Sequence, residues 1–306
     1  MNEIAEAPPA EAGRLSARED EPRKLRYWTW GLPAFAAAWL AVYLAVFPDP
    51  AGLAAKNWPL FLVGVAGAAL GNATAVGGGL VFIPAVMFGW HLAPVEALKL
   101  ALASQSIGMS SGALGWLRRG DVPLRVLPVA LVPLAAGALV STFVIRPNAL
   151  LVKGLFGPVS IAVGLITLYL LEHRARCTEV PRSAYPGLAG VAFLGGMLTG
   201  WVAIGEGEVV AAFLMLRYGL DPRRGIGLGT ALLAVNSILL TLLHGLVLGG
   251  VPWEMAAFTM LGCAFGGRLG PFLAQWVGPH RLKLIFATVA IGDGLLILGQ
   301  FLLSLR

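Results

Sequence analysis

The chain is poor in charge and in cysteine. Asp, Glu, Lys and Arg make up 12% of its 306 residues and hydrophobic residues 58%, whereas a soluble domain is about one quarter charged. So little charge excludes an ordinary soluble globule: a chain this apolar cannot hide its surface inside one core, so lipid must be its solvent. The two cysteines, Cys177 in a basic loop and Cys263 in an apolar run, are far apart and point to neither a disulfide nor a metal site. No motif calls for a cofactor. The net charge of +6 is not a nucleic-acid signal, because the basic residues sit in short loops between apolar runs, as the positive-inside rule expects.

What is abundant is apolar sequence interrupted by glycine: 40 Gly and 20 Pro lie largely within hydrophobic runs. Transmembrane helices tolerate both residues better than soluble helices do. Residues 1–26 are polar and read as a disordered cytoplasmic tail. Residues 27–48 hold an extra N-terminal transmembrane helix, Trp28 to Phe47 matching the roughly 20 apolar residues a bilayer core needs.

The remainder divides into two similar halves, repeat 1 over 58–172 and repeat 2 over 187–304, joined by a cytoplasmic linker over 173–186. Residues 75–100 align without gaps on 203–228, setting Ala75-Val76-Gly77-Gly78-Gly79 on Ala203-Ile204-Gly205-Glu206-Gly207 and Pro94 on Pro222. Further on, Phe156 matches Phe286, Ile161 matches Ile291 and Gly164 matches Gly294. Each half reads as a glycine-broken hairpin (60–89 and 187–218) followed by three spans, near 95–117, 124–145 and 151–171, then near 226–248, 253–276 and 283–303. The hairpin arms are short for spans, so each hairpin is expected to be re-entrant, its unwound tip enclosed by protein. Counting crossings from a cytoplasmic N-terminus places Arg118, Arg119, Arg125, Arg174, Arg176, Arg182, Arg217, Arg223, Arg224, Arg281 and Lys283 inside, with Lys56, Arg146, Lys153 and Arg306 outside. That asymmetry predicts a multi-pass protein of the inner (cytoplasmic) membrane with its C-terminus outside. The fold class expected is therefore all-α: two inverted repeats, each a re-entrant hairpin plus three transmembrane helices. Broken helices in matching places of inverted repeats are the mark of a secondary transporter.

A helix that starts in mid-membrane aims free N–H groups and a positive dipole end into its cavity, which suits a small anion. The expected substrate-binding residues are Gly77, Gly78, Gly79, Gly205 and Gly207 at the breaks. Facing them should be Ser104 and Ser106, from the polar stretch Ser104, Gln105, Ser106, Ser110 and Ser111, together with Thr230 and Asn236, from Thr230, Asn236 and Ser237, in the second half. Ionisable residues inside spans are costly and mark function. Glu206 and Glu208 sit at the second break and read as proton-coupling groups, since two carboxylates this close resist joint ionisation. A first-turn carboxylate satisfying the helix dipole is the competing account, strongest for Glu208. Arg268 and Asp293 read as an ion pair between neighbouring spans. Lys99, one turn into its helix, reads as snorkelling to the outer interface.

The stretch Gly77-Gly78-Gly79-Leu80-Val81-Phe82-Ile83-Pro84, then Pro94, Ala97 and the Ser104–Ser111 segment, repeated in part at Gly205–Gly207, Pro222 and Thr230, resembles the TauE/SafE family of sulfite and organosulfonate transporters (the TSUP superfamily) over roughly residues 60–303. The resemblance implies transport of a small sulfur-containing anion. The second half departs from the pattern: Glu206 replaces the middle glycine and Ala212 stands where the first half has Pro84. Added negative charge disfavours an anion unless a glutamate is protonated, and so motivates proton coupling. Two other readings stand beside this one. The first is a proton-coupled carrier of a cation or another carboxylate, with Glu206 and Glu208 as ligands. The second is an intramembrane serine hydrolase, because Gly108-Met109-Ser110-Ser111-Gly112 matches G-x-S-x-G and His244 lies on another span; that motif belongs on a strand–turn–helix elbow, not in a helix of small residues.

Overall fold

A computed structural model of the chain describes residues 31–74, 77–170, 175–277 and 279–304. The polar tail over 1–26, the start of the first helix before residue 31, Ala75 and Val76, residues 171–174 (which include Arg174), Gly278 and Arg306 lie outside the described residues. Met1–Ala41 forms a unit distinct from Val42–Arg306.

The described chain is all-α. In order come α1 (Gly31–Val46), α2 (Pro50–Asn57), α3 (Pro59–Thr74), α4 (Gly79–Gly89), α5 (Pro94–Arg119), α6 (Leu127–Leu139), α7 (Ala149–Tyr169), α8 (Tyr185–Val202), α9 (Glu206–Tyr218), α10 (Pro222–Leu242), α11 (Trp253–Val277) and α12 (Pro279–Ser304). Two helices end in π-helical turns, α6 through Val140–Val144 and α10 through Leu243–Leu248. Starts follow local chemistry. Asp49, Asn148 and Asp221 cap α2, α7 and α10 with side-chain oxygens on backbone N–H groups of the first turn, and proline occupies the first turn of α2, α5 and α10.

Five stretches are long and apolar enough to cross a membrane: Leu127–Val144, Ala149–Tyr169, Arg182–Val202, Pro222–Leu248 and Lys283–Leu303. With α5 and α11, which are 26 and 25 residues long but more polar, they make a polytopic membrane protein. One expectation is corrected. The arm of the second hairpin is not short: a 3₁₀ turn at Arg182–Ala184 leads into α8, and the continuous stretch runs 21 residues. Its partner arm, α9, has 13 residues, while the first hairpin's arms α3 and α4 have 16 and 11.

The helix order α3–α7 recurs as α8–α12, and the packing between the two series is reciprocal. α3 packs on α11 and α8 on α6, while α5 packs on α10 and α7 on α12. Glycines make these contacts close, as small residues do between helices in lipid. On α11, Gly262, Gly266 and Gly270 recur every fourth residue, and a Cβ at each would stand 2.0, 2.2 and 2.8 Å from the carbonyl oxygens of Phe61, Val65 and Ala69 on α3. Gly137 on α6 and Gly196 on α8 likewise abut the carbonyls of Phe193 and Leu134.

Substituting Gly262 by Ala forces a methyl group onto the Phe61 carbonyl, and should destabilise the protein by about 1–3 kcal/mol. Gly190→Ala on α8, where nothing lies within 4 Å, should be neutral or stabilising. Thermal unfolding of the two variants in one detergent gives the comparison, and equal melting temperatures would contradict the close-packed interface.

Candidate functional site

Both helix breaks are buried, and they touch each other. The first lies between α3 and α4 and includes Gly77 and Gly78; the second is Ala203-Ile204-Gly205 between α8 and α9. Two left-handed residues shape the second break: Ala203 has φ 56° and Gly205 has φ 103°. Only Gly205 has the residue type that adopts such a backbone without strain. The Ala203 carbonyl oxygen is pressed against the first break, so close that a Cβ on Gly77 or Gly79 would come within 2.6 or 2.5 Å of it. Glycine at 77 and 79 is therefore what allows the two breaks to meet.

The bonds across this contact tie one half to the other. The Gly77 N–H donates to Glu208 Oε1 at 3.2 Å. The Gln105 side-chain amide on α5 donates to the Ala203 carbonyl at 2.7 Å and accepts from the Ser237 hydroxyl on α10 at 3.4 Å. The Asn236 amide, also on α10, donates to Glu206 Oε2, and Thr199 on α8 lies beside the same carboxylate. Glu206 is 0% and Glu208 5% exposed. Around them several acceptors have no hydrogen-bond partner among the described residues: Glu206 Oε1, Glu208 Oε2, Asn236 Oδ1 and the hydroxyls of Thr199 and Thr230. Buried polar atoms are seldom left this way, so each orphan invites a proton, a water or a ligand.

A cavity of about 30 Å³ adjoins Glu208, lined also by Thr74, Thr167, Met215 and Lys283. It has room for water. Lys283 stands in its wall and donates to the Leu170 carbonyl at 3.2 Å.

The structure brings together Gly77, Gly79, Gly205, Glu206, Glu208 and Asn236. Gly78 lies against the Phe82 ring and Gly207 against Gly229, next to Thr230. Ser104 and Ser106 are not brought to the breaks by any bond. Ser104 donates to Leu100 O and pairs with Thr259 on α11 at 2.6 Å, and Ser106 donates to Ala103 O. A helical serine commonly returns its hydroxyl to its own backbone in this way. The residue that reaches the break is Gln105 between them, with Ser237 and Thr199 from the other half; Gln105 and Ser237 belong to the polar stretches expected to face the breaks, whereas nothing in the sequence pattern points to Thr199. Arg268 on α11 has Arg118 as a charged neighbour, and Asp293 is partly buried on α12. Lys99 turns to the protein and not only to an interface, donating to the Gly249 carbonyl at 2.7 Å.

The hydrolase motif lies within α5, with Ser110 and Ser111 partly buried. The Ser110 hydroxyl is bonded to Ser106 O at 2.5 Å, and Gly108 and Gly112 pack against Ala68 and Asn72. Ser110 lies on the opposite side of the Gln105–Ser237 contact from His244, roughly 18 Å away along the helix axes at 1.5 Å per residue.

Against known proteins, residues 60–296 match the family described as "Sulfite exporter TauE/SafE". The chain belongs to the TauE/SafE family. It is also 22% identical over 260 residues, 76% of this chain and 93% of the relative, to "Probable membrane transporter protein YunE" of Bacillus subtilis (strain 168). No solved structure matches it. A TauE/SafE protein is a membrane transporter and not an enzyme, in keeping with Ser110 being bonded to its own helix.

Gln105→Leu keeps the volume of the side chain but leaves the Ala203 carbonyl and the Ser237 hydroxyl unmet. It should cost about 1–3 kcal/mol of stability and depress transport, whereas Ser106→Ala should leave transport near wild type. Flux in proteoliposomes and melting in detergent test both; equal flux in the two variants would remove Gln105 from the site.

Proposed function

We propose that this TauE/SafE transporter carries a small sulfur-containing anion, such as sulfite or an organosulfonate, across the cytoplasmic membrane together with protons. The observation that carries the reading is the bond between Glu208 and the Gly77 N–H across the two breaks. The Gly77 amide is the kind of donor an anion at a broken helix needs, and Glu208 occupies it. A charged Glu208 excludes an anion both by filling this donor and by repulsion. A protonated Glu208 accepts more weakly and carries no charge, so the donor is released and the repulsion removed. Proton and anion binding are then positively linked. Glu206, held by Asn236, is the second carboxylate of the pair and keeps one orphan oxygen.

Orientation follows from charge. The cavity beside Glu208 contains Lys283, which belongs with Arg281, Arg176 and Arg182 to the arginine-rich ends assigned to the cytoplasm. On this assignment Glu208 exchanges protons with the cytoplasm through that cavity, and the two helix series are inverted repeats sharing a midplane site. Gly77, Gly79 and Gly205 are the substrate-facing glycines and Gln105 the side chain that holds the two breaks in register.

A second reading has its own support. The orphan atoms at the site are predominantly oxygen acceptors, from Glu206, Glu208, Asn236, Thr199 and Thr230, a set that suits a hard monovalent cation such as sodium as the coupling ion.

Reconstituted protein separates these. Sulfite uptake should be driven by an imposed pH gradient and bind more weakly as pH rises, because rising pH ionises Glu208. Glu208→Gln and Glu206→Gln should fold yet lose the dependence on the gradient. Persistence of that dependence in both variants removes proton coupling from these residues. Uptake driven by a sodium gradient alone supports the second reading. Absence of flux for sulfite and for organosulfonates such as sulfoacetate and taurine overturns the anion assignment.

A further inference from the structure

His244 stands apart from the breaks. It lies in the π-helical turn at the end of α10, is 1% exposed, and has no partner among the described residues for either ring nitrogen. A neutral imidazole always carries one N–H donor and one acceptor, and burying both unpaired is unfavourable. The ring is therefore arranged for something the described residues do not supply. π-helical turns are frequent at functional sites.

Its place in the fold is set by two contacts. Gln105 on α5 meets Ser237 on α10 at 3.4 Å, and Lys99, earlier on α5, reaches the Gly249 carbonyl beyond the end of α10 at 2.7 Å. The two helices thus run antiparallel, with Lys99 and His244 displaced to the same side of the Gln105–Ser237 contact by about 9 and 10 Å at 1.5 Å per residue. Ser237, Thr241 and His244 follow at spacings of four and three, which is one helix face, and all three are buried. A buried polar line leads from the breaks to His244. The ammonium of Lys99, the charged group that acts on the His244 ring through space, has three donors, and the Gly249 carbonyl takes one of them.

We propose that His244 and Lys99 form a second oxyanion site, separate from the breaks, through which the transported anion passes near the 249–252 loop. This rests on the transporter reading above. An imidazole N–H with a neighbouring ammonium is a donor set for an oxyanion, and the same ammonium disfavours a cation there. Glu206 and Glu208 belong to the breaks, through Asn236 and Gly77; the carboxylate nearest the Lys99 ammonium is Glu96, one turn earlier on α5, which accepts from the Ala93 N–H at 3.3 Å.

Two measurements test this with sulfite as the probe. In the first, His91→Gln, His173→Gln and His280→Gln leave His244 the sole histidine of the full chain, and its ring nitrogens are followed by ¹⁵N NMR in detergent. Saturating sulfite should shift them; unmoved signals mean that the ring holds water only, and the proposal fails. In the second, His244→Gln and Lys99→Gln are each expected to weaken apparent sulfite affinity in proteoliposomes by about tenfold or more, the loss of one charge-assisted hydrogen bond. Wild-type affinity in both variants, with Glu208→Gln still disrupting coupling, overturns the second site and leaves the transporter reading intact. Absence of sulfite flux in the wild type overturns both.

Discussion

Everything in this fold follows from the requirement that buried, unwound backbone be satisfied by protein. A buried backbone N–H or C=O without a partner is costly, and both buried breaks create such groups. Each break is answered by the opposite half: the Gly77 N–H by Glu208, and the Ala203 carbonyl by Gln105. Neither hairpin tip is self-sufficient. The two can persist only pressed together, and glycine at 77 and 79 is what permits the approach.

The closely packed interfaces deliver the tips to that meeting point. α3 is locked to α11 and α8 to α6, so the arm of each hairpin leans on the other half of the chain. A glycine every fourth residue on α11 lets the α3 backbone approach to contact. The pairs α5–α10 and α7–α12 complete a scaffold in which both halves are built into each other. Such a scaffold fixes the position of the tips more firmly than a tip could fix itself, because packed interfaces are not continuously deformable.

The breaks were legible in the sequence because glycine runs inside apolar stretches have few other uses, and Glu206 and Glu208 because a carboxylate at that depth demands a reason. The helix order was legible from the internal alignment of 75–100 with 203–228. The lining was not. Ser104, Gln105 and Ser106 are adjacent in sequence, but consecutive helical residues point about 100° apart. Sequence alone does not say which of them faces the tip. Ser104 and Ser106 bond their own helix and α11, whereas the longer Gln105 reaches across to the break. The length of the α8 arm was hidden for a different reason. Arg182 and Ser183 are polar and read as linker, yet they form a 3₁₀ turn that extends the helix. His244 was noticed only as a partner for Ser110, because its burial and its neighbour Lys99 depend on the antiparallel register of α5 and α10.

The scaffold is reciprocal but the candidate site is not. The alignment sets Glu206 on Gly78 and Glu208 on Leu80, so one half contributes both carboxylates and the other contributes a bare amide donor. That inequality has a mechanical consequence in the proposed mechanism. The bond from Gly77 to Glu208 is at once a link between the halves and the place where a proton acts. A charged Glu208 holds the first break to the second and keeps the anion out, whereas a protonated one loosens the link as it admits the anion. Two equal halves with an apolar residue at both positions would keep the packing and lose this connection, since no charge at the contact could then sense whether the site was loaded. Placing the carboxylates on one side of the contact lets a single proton govern both occupancy and the tie between the halves.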